Sequence, residues 1–162
     1  MTSNLGSQLI HERFEKVKEN EYPLVAESTR TEVLELLRQT IRPEFLNRID
    51  ESILFLPLTK KEVAQIVTMQ LDELKIKLRE SDLNLVVTPE AFEHILTLGY
   101  DPFFGARPVK RVIQKQVLNE LSKAILSQKV DKTQNVVMDM FDGKIVFRKP
   151  VHAHEELVVG QE

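Results

Sequence analysis

Apolar residues in the middle of the chain repeat at the three- and four-residue intervals that place them on one face of a helix. The first such stripe consists of Val63, Val67, Leu71, Leu74 and Leu78. Thr59 and Glu62 precede it with the spacing of a capping box, in which two side chains satisfy free backbone amides of the first turn. The pattern therefore predicts a long amphipathic helix that begins next to Thr59.

Two further helices are predicted after a short strand at Leu83–Val87. Thr88 and Pro89 suit the cap and first turn of a helix that carries Phe92, Ile95 and Leu96, and Gly99 is expected to close it. A longer helix is predicted after Pro108, because apolar residues recur there at helical spacing: Val109, Val112, Ile113, Val117, Leu121, Ala124 and Ile125.

Two segments rich in apolar residues, Asn135–Phe141 and Lys144–Arg148, flank the dipeptide Asp142-Gly143. Asp-Gly between two apolar runs is a strong signal for a two-residue β-hairpin. Ser52–Leu56 is predicted as an additional short strand. The expected fold class is α+β, with three main helices against a small sheet of three to four strands.

The first 50 residues are predicted to be mainly helical. These helices have little apolar surface to pack against except one another. Gly6-Ser7 is expected to start a helix that runs through Phe14. Thr29 and Glu32 have capping-box spacing, and they precede an apolar face made of Val33, Leu34, Leu37 and Ile41. Pro43 suits the first turn of a short helix through Arg48.

Composition limits the function classes. Apolar residues make up 42% of the 162 residues and charged residues 29%, which is typical of a folded domain with a hydrated surface. The formal net charge of −3 argues against a general nucleic-acid binder, and the absence of cysteine excludes disulfides, thiol catalysis and zinc–thiolate sites. No apolar run is long enough to span a bilayer, and we predict no metal site.

The most informative stretch is Gly105–Pro108, which follows Gly99–Pro102. Gly105 allows a backbone geometry that most residues resist, and Pro108 suits a first helical turn, so Arg107 is expected at a helix entrance. A guanidinium there can bind a phosphate through two hydrogen bonds. The alternative is a capped helix whose arginine pairs with a carboxylate such as Asp101.

Three segments in this order resemble the second nucleotide-binding module of ClpB-type protein disaggregases, which are AAA+ ATPases. They are Thr-Ser-Asn-Leu-Gly-Ser at 2–7, Arg-Pro-Glu-Phe-Leu-Asn-Arg-Ile-Asp-Glu at 42–51, and the Gly-Tyr-Asp-Pro and Gly-Ala-Arg-Pro pair at 99–108. The resemblance extends from about Thr2 to Pro150. It implies that residues 1–50 end a large domain, that 51–150 form a small domain, and that 151–162 form a flexible tail.

The resemblance also implies roles for three residues. Asn4 corresponds to sensor 1, which aligns the attacking water, and Arg48 corresponds to an arginine finger that reaches the ATP of a neighbouring subunit. Arg107 corresponds to sensor 2, which contacts ATP in its own subunit. Alternatives from the residues alone are a turn or cap asparagine, and a surface ion pair of Arg48 with a nearby carboxylate. Arg42 is a lesser candidate for the finger.

For the full-length protein the resemblance implies a homohexameric, cytoplasmic, heat-shock chaperone that uses ATP with Mg²⁺. It would thread aggregated or unfolded polypeptide and cooperate with a DnaK-type chaperone. The chain contains neither a Gly-Lys-Ser/Thr phosphate loop nor an acidic strand end, so alone it is expected to hydrolyse no ATP and to hold no nucleotide.

Two alternatives stay open at this stage. One is a Clp-family unfoldase subunit coupled to a protease. The other is a non-enzymatic module that binds protein or nucleic acid through the basic helix face of Lys110, Arg111 and Lys115. Neither membrane nor nucleic acid is expected as a partner of the favoured ClpB-type protein.

Overall fold

The computed structural model describes residues 2–18, 21–130 and 135–150. Contacts between residues separate two compact units, one that runs to Thr59 and one that begins at Lys60. The segment predicted to be a flexible tail, Val151–Glu162, lies outside the described residues. Across the described ranges, no helix is both long and apolar enough to cross a membrane.

The first unit contains helices α1 (Ser7–Phe14), α2 (Tyr22–Thr40) and α3 (Pro43–Leu46). The predicted helix through Phe14 is confirmed, and α1 packs on α2. Gly6 takes a left-handed conformation before α1, and a Cβ built on it would lie 3.1 Å from Cγ1 of Val33. A side chain at position 6 would therefore be both strained and crowded.

The capping box predicted at Thr29 and Glu32 is wrong. Helix α2 begins at Tyr22 with Pro23 in its first turn, so Thr29 lies in the helix interior, where it is fully buried. Its Oγ1 has no hydrogen-bond partner within the described residues. Thr-x-x-Glu spacing also occurs inside helices, and here the proline starts the helix earlier.

The strand predicted at Ser52–Leu56 is not formed. The segment has no paired neighbour strand, and the side chains of Ile53 and Phe55 are 70% and 81% exposed. A strand requires partners for its backbone amides and carbonyls, which a short apolar run in the sequence cannot supply. The short helix predicted through Arg48 also ends earlier, at Leu46.

The second unit combines helices with a three-stranded sheet, which confirms the predicted α+β class. Its helices begin with α4 (Lys60–Arg79) and α5 (Pro89–Gly99). Strands β1 (Asn84–Val87), β2 (Asn135–Phe141) and β3 (Lys144–Arg148) lie side by side in that order. Strand β1 is parallel to β2, and β2 is antiparallel to β3.

The predicted hairpin is confirmed at Asp142 and Gly143. Both residues have positive φ angles, 49° and 71°, as a two-residue turn of type I′ requires. The core predicted for α4 is also confirmed, because four of its five stripe residues are buried: Val63, Val67, Leu71 and Leu74.

Gly99 differs from its predicted role. It is the last residue of α5 and lacks the left-handed conformation expected of a helix-closing glycine. Instead, a Cβ at this position would lie 2.9 Å from Cγ2 of Val109 and 3.3 Å from its Cα. Glycine is needed here because two helices approach each other closely.

The long helix predicted after Pro108 is a continuous rod of three parts. Helix α6 (Arg107–Val112) leads into a π-helical segment (Ile113–Leu118) and then into α7 (Asn119–Leu126). Its buried residues are spaced by four: Val109, Ile113, Val117 and Leu121. Four residues of an α-helix overshoot one turn by about 40°. The wider π turns compensate for this drift and keep the stripe on one face.

Asp139 connects the hairpin to the cap of α5. Its Oδ2 accepts a hydrogen bond from Nε of Arg148 at 2.8 Å and forms an ion pair with Nη2 of the same residue at 2.6 Å. Its Oδ1 accepts from the Oγ1 of Thr88 at 3.1 Å and from the backbone N–H of Met140 at 2.8 Å. The hydrogen bond from Arg148 is the main cause that lowers the pKa of Asp139 below its usual 3.8.

The Gly99–Val109 contact predicts the effect of Gly99→Ala. Alanine is normally the better helix former, but its methyl group would overlap Val109, so we expect a loss of about 1–3 kcal/mol in the free energy of unfolding. Chemical denaturation of this chain measures it. In the double variant with Val109→Ala, the nearest atom is gone, and the loss should be smaller than the sum of the single losses. Simple additivity would contradict the clash.

The lowered pKa of Asp139 predicts a pH dependence. A carboxyl whose folded-state pKa is depressed stabilises the fold fully above 3.8, and this stabilisation is lost as the pH falls through the folded-state pKa. Asp139→Asn should therefore be less stable than the wild type near pH 6, and the difference should shrink as the pH is lowered below 3.8. Denaturation curves of both proteins at several pH values test this, and a difference that does not change with pH would refute it.

Candidate functional site

The loop from Asp101 to Gly105 is closed by its own backbone and one side chain. The N–H of Asp101 donates to the carbonyl of Gly105 at 3.1 Å, and the N–H of Gly105 donates to the carbonyl of Asp101 at 2.7 Å. Oδ1 of Asp101 also accepts the backbone N–H groups of Phe103 and Phe104, at 2.8 and 2.9 Å. Gly105 has a φ of 60°, which explains the glycine.

Arg107 lies two residues beyond this loop, at the start of α6. Its backbone N–H donates to the carbonyl of Phe104 at 3.2 Å, and Pro108 occupies the first turn of α6, as predicted. The guanidinium is exposed and has no hydrogen bond or ion pair with any residue that the structure describes. It does not pair with Asp101, whose Oδ1 accepts two backbone amides of the loop.

The surroundings of Arg107 are basic. No aspartate or glutamate occurs between Pro102 and Asn119 in the sequence. Lys110, Arg111 and Lys115 are exposed, and within the described ranges none of them forms an ion pair. An anion that approaches this part of the rod meets several free cations and no repelling carboxylate on the same stretch of chain.

Two aromatic side chains on the loop form the feature that the sequence analysis missed. Phe103 and Phe104 are 61% and 60% exposed, and Leu98 at the end of α5 is 44% exposed. The position of these two phenylalanines in the sequence could have indicated their exposure. Both phenylalanines stand between helix-ending and helix-starting residues, outside any helical stripe, so no periodic pattern predicts their burial.

Arg48 lies in the first unit, just after α3. Its side chain is exposed and forms no ion pair with Glu44, Asp50 or Glu51. Arg42, directly before α3, is likewise exposed and unpaired within the described residues. The surface ion pair considered as an alternative for Arg48 is therefore absent, and both guanidinium groups are available to a ligand.

Asn4 borders an open cavity of about 470 Å³ in the first unit. The N–H of Ser7 donates to the backbone carbonyl of Asn4 at 3.1 Å, while the carboxamide is exposed. The other lining residues come from the start of α1 and from α2: Leu5, Gly6, Ser7, Gln8, Leu9, Glu12 and Leu36. Of the other two predicted site residues, Arg48 does not line this cavity, and Arg107 belongs to the second unit.

The donor chemistry of these residues suits phosphate oxygens. Guanidinium groups supply paired N–H donors with a permanent charge, and a carboxamide can donate to one oxygen and accept from a water. Within the described ranges, no three histidine, aspartate or glutamate residues come together as a metal site.

Comparison with known proteins identifies relatives of this chain. The family model described as "C-terminal, D2-small domain, of ClpB protein" matches residues 58–138. Chaperone protein ClpB of Porphyromonas gingivalis is 54% identical over 149 residues, which cover 91% of this chain and 17% of the relative. The chain thus spans about one sixth of that relative's length.

Solved structures of yeast Hsp104 show the same fold. The Saccharomyces cerevisiae Hsp104–ADP complex is 32% identical with a TM-score of 0.72, covering 90% of this chain and 25% of that one. The Hsp104:casein complex in its extended conformation is 30% identical with a TM-score of 0.71, covering 92% and 25%. On the family match and these likenesses, the chain belongs to the ClpB family of chaperones and contains its D2 small domain.

Proposed function

We propose that this chain is the C-terminal part of the second AAA+ module of a ClpB-type disaggregase. Residues 1–50 would end the large nucleotide-binding domain, and residues 51–150 would form the small domain that carries sensor 2, with 151–162 as a tail. The family match over residues 58–138 and the likeness to Hsp104 over most of the chain support this assignment.

In this proposal Arg107 is the sensor 2 residue, which binds the phosphates of a nucleotide in its own subunit. The observation that carries it is the free guanidinium next to a closed loop, in a family whose member Hsp104 was solved with ADP. Oδ1 of Asp101 binds amides of the loop, and no carboxylate among the described residues pairs with Arg107. A phosphate could therefore accept two parallel hydrogen bonds from the guanidinium.

Arg48 is proposed as the arginine finger that acts on the nucleotide of a neighbouring subunit. Its exposure and the lack of any ion pair among the described residues support the role, since a finger must be free to cross a subunit boundary. Asn4 is proposed as sensor 1. Its exposed carboxamide beside the cavity is able to hold a water by donating and accepting hydrogen bonds.

The full-length protein is proposed to be a cytoplasmic homohexamer that uses ATP with Mg²⁺ to thread aggregated or unfolded polypeptide, with a DnaK-type chaperone as partner. The Hsp104:casein complex supports a polypeptide as the substrate class. This chain alone is proposed to be inactive, because the phosphate loop and the acidic strand end are not in its sequence. Binding and release of phosphate at Arg107 would then govern movement of the small domain.

Arg107→Ala in the full-length protein should weaken ATP binding about tenfold or more, because a charged hydrogen-bonded contact to phosphate is lost. Titration calorimetry with ATP measures the affinity, and thermal unfolding should show the small domain still folded because the side chain is exposed. Lys115→Ala removes an exposed cation farther along the same rod and serves as the control. Unchanged affinity and turnover in Arg107→Ala would remove Arg107 from the site.

Arg48→Ala in the full-length protein should lower kcat for ATP by about 10³-fold or more while ATP affinity stays close to that of the wild type. The reason is that a finger stabilises the transition state of the neighbouring subunit rather than its own bound nucleotide. Steady-state ATPase assays and titration calorimetry separate the two quantities. Arg42→Ala, which removes the exposed arginine directly before α3, is the matched control. An equal loss in Arg42→Ala would contradict the assignment of the finger to Arg48.

A further inference from the structure

The hairpin between β2 and β3 turns at Asp142 and Gly143, and both residues are exposed. We propose that this dipeptide is a modification site at which Asp142 converts spontaneously to isoaspartate. In isoaspartate the main chain runs through the side-chain carboxyl carbon, so the backbone gains one carbon atom. The inference is independent of the proposed nucleotide contacts, because it uses none of the residues that carry them.

The chemistry is a ring closure between the two residues of the turn. The amide nitrogen of Gly143 attacks the side-chain carboxyl carbon of Asp142, and a carbon–nitrogen bond forms. The hydroxyl group of the protonated carboxyl leaves with the amide proton as one molecule of water, which gives a five-membered succinimide. Water then adds to one of the two ring carbonyls. Opening at the side-chain carbonyl restores aspartate, and opening at the main-chain carbonyl yields isoaspartate, so water is the only reagent.

The amide of Gly143 is available for this attack. The β2–β3 ladder ends at the pair Phe141–Lys144, and the N–H of Gly143 donates to no residue that the structure describes. A Cβ built on Gly143 would meet no atom within 4 Å, so the space around the attacking nitrogen is open. The carboxylate of Asp142 likewise has no hydrogen bond or ion pair among the described residues. Neither reacting group therefore has to give up a contact of its own.

Asp82 supplies the contrast within the same unit. It is also exposed and left-handed, with a φ of 59° against 49° for Asp142. The next residue, Leu83, is buried, and its N–H donates to the carbonyl of Leu78 at 3.0 Å. Attack on Asp82 would thus break a hydrogen bond and move a core side chain. The two aspartates share a backbone conformation, so their difference in reactivity comes from the residue that follows.

Ring closure also requires the turn to open briefly. The side-chain carbon of Asp142 must approach the next nitrogen, for which the residue has to leave the left-handed conformation of the type I′ turn. Phe141 and Lys144, which form the adjoining pair, are both exposed, whereas Ile145 in the next pair is buried. Opening of the tip therefore releases only exposed groups and leaves the core intact. The folded protein should react, but more slowly than the unfolded chain.

The modification would alter the fold locally. A two-residue turn of type I′ has a fixed backbone length, and the additional carbon no longer matches the register that pairs Phe141 with Lys144. Isoaspartate at position 142 should therefore lower the stability of the hairpin. Its free α-carboxylate is a substrate for carboxyl methylation, so methyl transfer is the class of reaction that would consume the product.

The test ages the purified chain at physiological temperature and mildly acidic pH. Methylation by protein L-isoaspartate methyltransferase counts the isoaspartate, and peptide mapping by mass spectrometry locates it. Isoaspartate should accumulate at Asp142 and stay absent at Asp82, and denaturant should raise its rate of formation several-fold. Asp142→Glu keeps the charge but cannot form a five-membered ring, so methylation at position 142 should be lost. Asp142→Asn closes the same ring with loss of ammonia and should form isoaspartate faster than the wild type.

The inference fails if the folded protein accumulates no isoaspartate at Asp142, whatever the denatured chain does. It also fails if Asp82 reacts as fast as Asp142, since the following glycine would then be irrelevant, or if Asp142→Glu retains the methylation. Thermal unfolding supplies a second readout. Aged wild-type protein should unfold at a lower temperature than fresh protein, while aged Asp142→Glu should match its own fresh sample. An unchanged unfolding temperature in the modified wild type would contradict the effect on the hairpin.

Discussion

The close approach of α5 and α6 at Gly99 and Val109 is the contact on which the candidate site depends. A hydrogen atom in place of a side chain at Gly99 lets the two helices meet at a distance that a methyl group would prevent. Seven residues, Tyr100–Ala106, connect the two helices. They include the closed loop from Asp101 to Gly105, which leads directly into the helix that begins at Arg107.

The carboxylate of Asp101 also affects the charge of the candidate site. An aspartate six residues before an arginine could have neutralised it, but one oxygen of this carboxylate is bound to two amides of the loop. The same hydrogen bonds that make the loop rigid leave the guanidinium without a partner. The closed loop and the unpaired cation are thus both connected with the way the Asp101 carboxylate binds backbone amides of the loop.

The rest of the second unit supports this arrangement through the sheet. Asp139 joins the hairpin to Thr88, and Thr88 in turn caps α5 by accepting the N–H of Ala91 at 3.3 Å. Helix α5 is thereby held at its first turn by the sheet and at its last residue by α6. The π-helical segment then keeps Val109 and Leu121 on one face of the rod, so that α6 contacts α5 and α7 contacts β3.

Local signals in the sequence determined the helices, the hairpin and the position of Arg107. Proline at a first turn, Asp-Gly between two apolar segments, and apolar residues spaced by three or four act over a few residues, so they can be recognised without knowledge of the fold. The tertiary structure alone decided the rest. Thr29 became a buried interior residue, Ser52–Leu56 found no strand partner, Gly99 served close packing, and Phe104 stayed exposed beside a free guanidinium. These outcomes depend on which distant groups come into contact, and spacing along the chain does not contain that information.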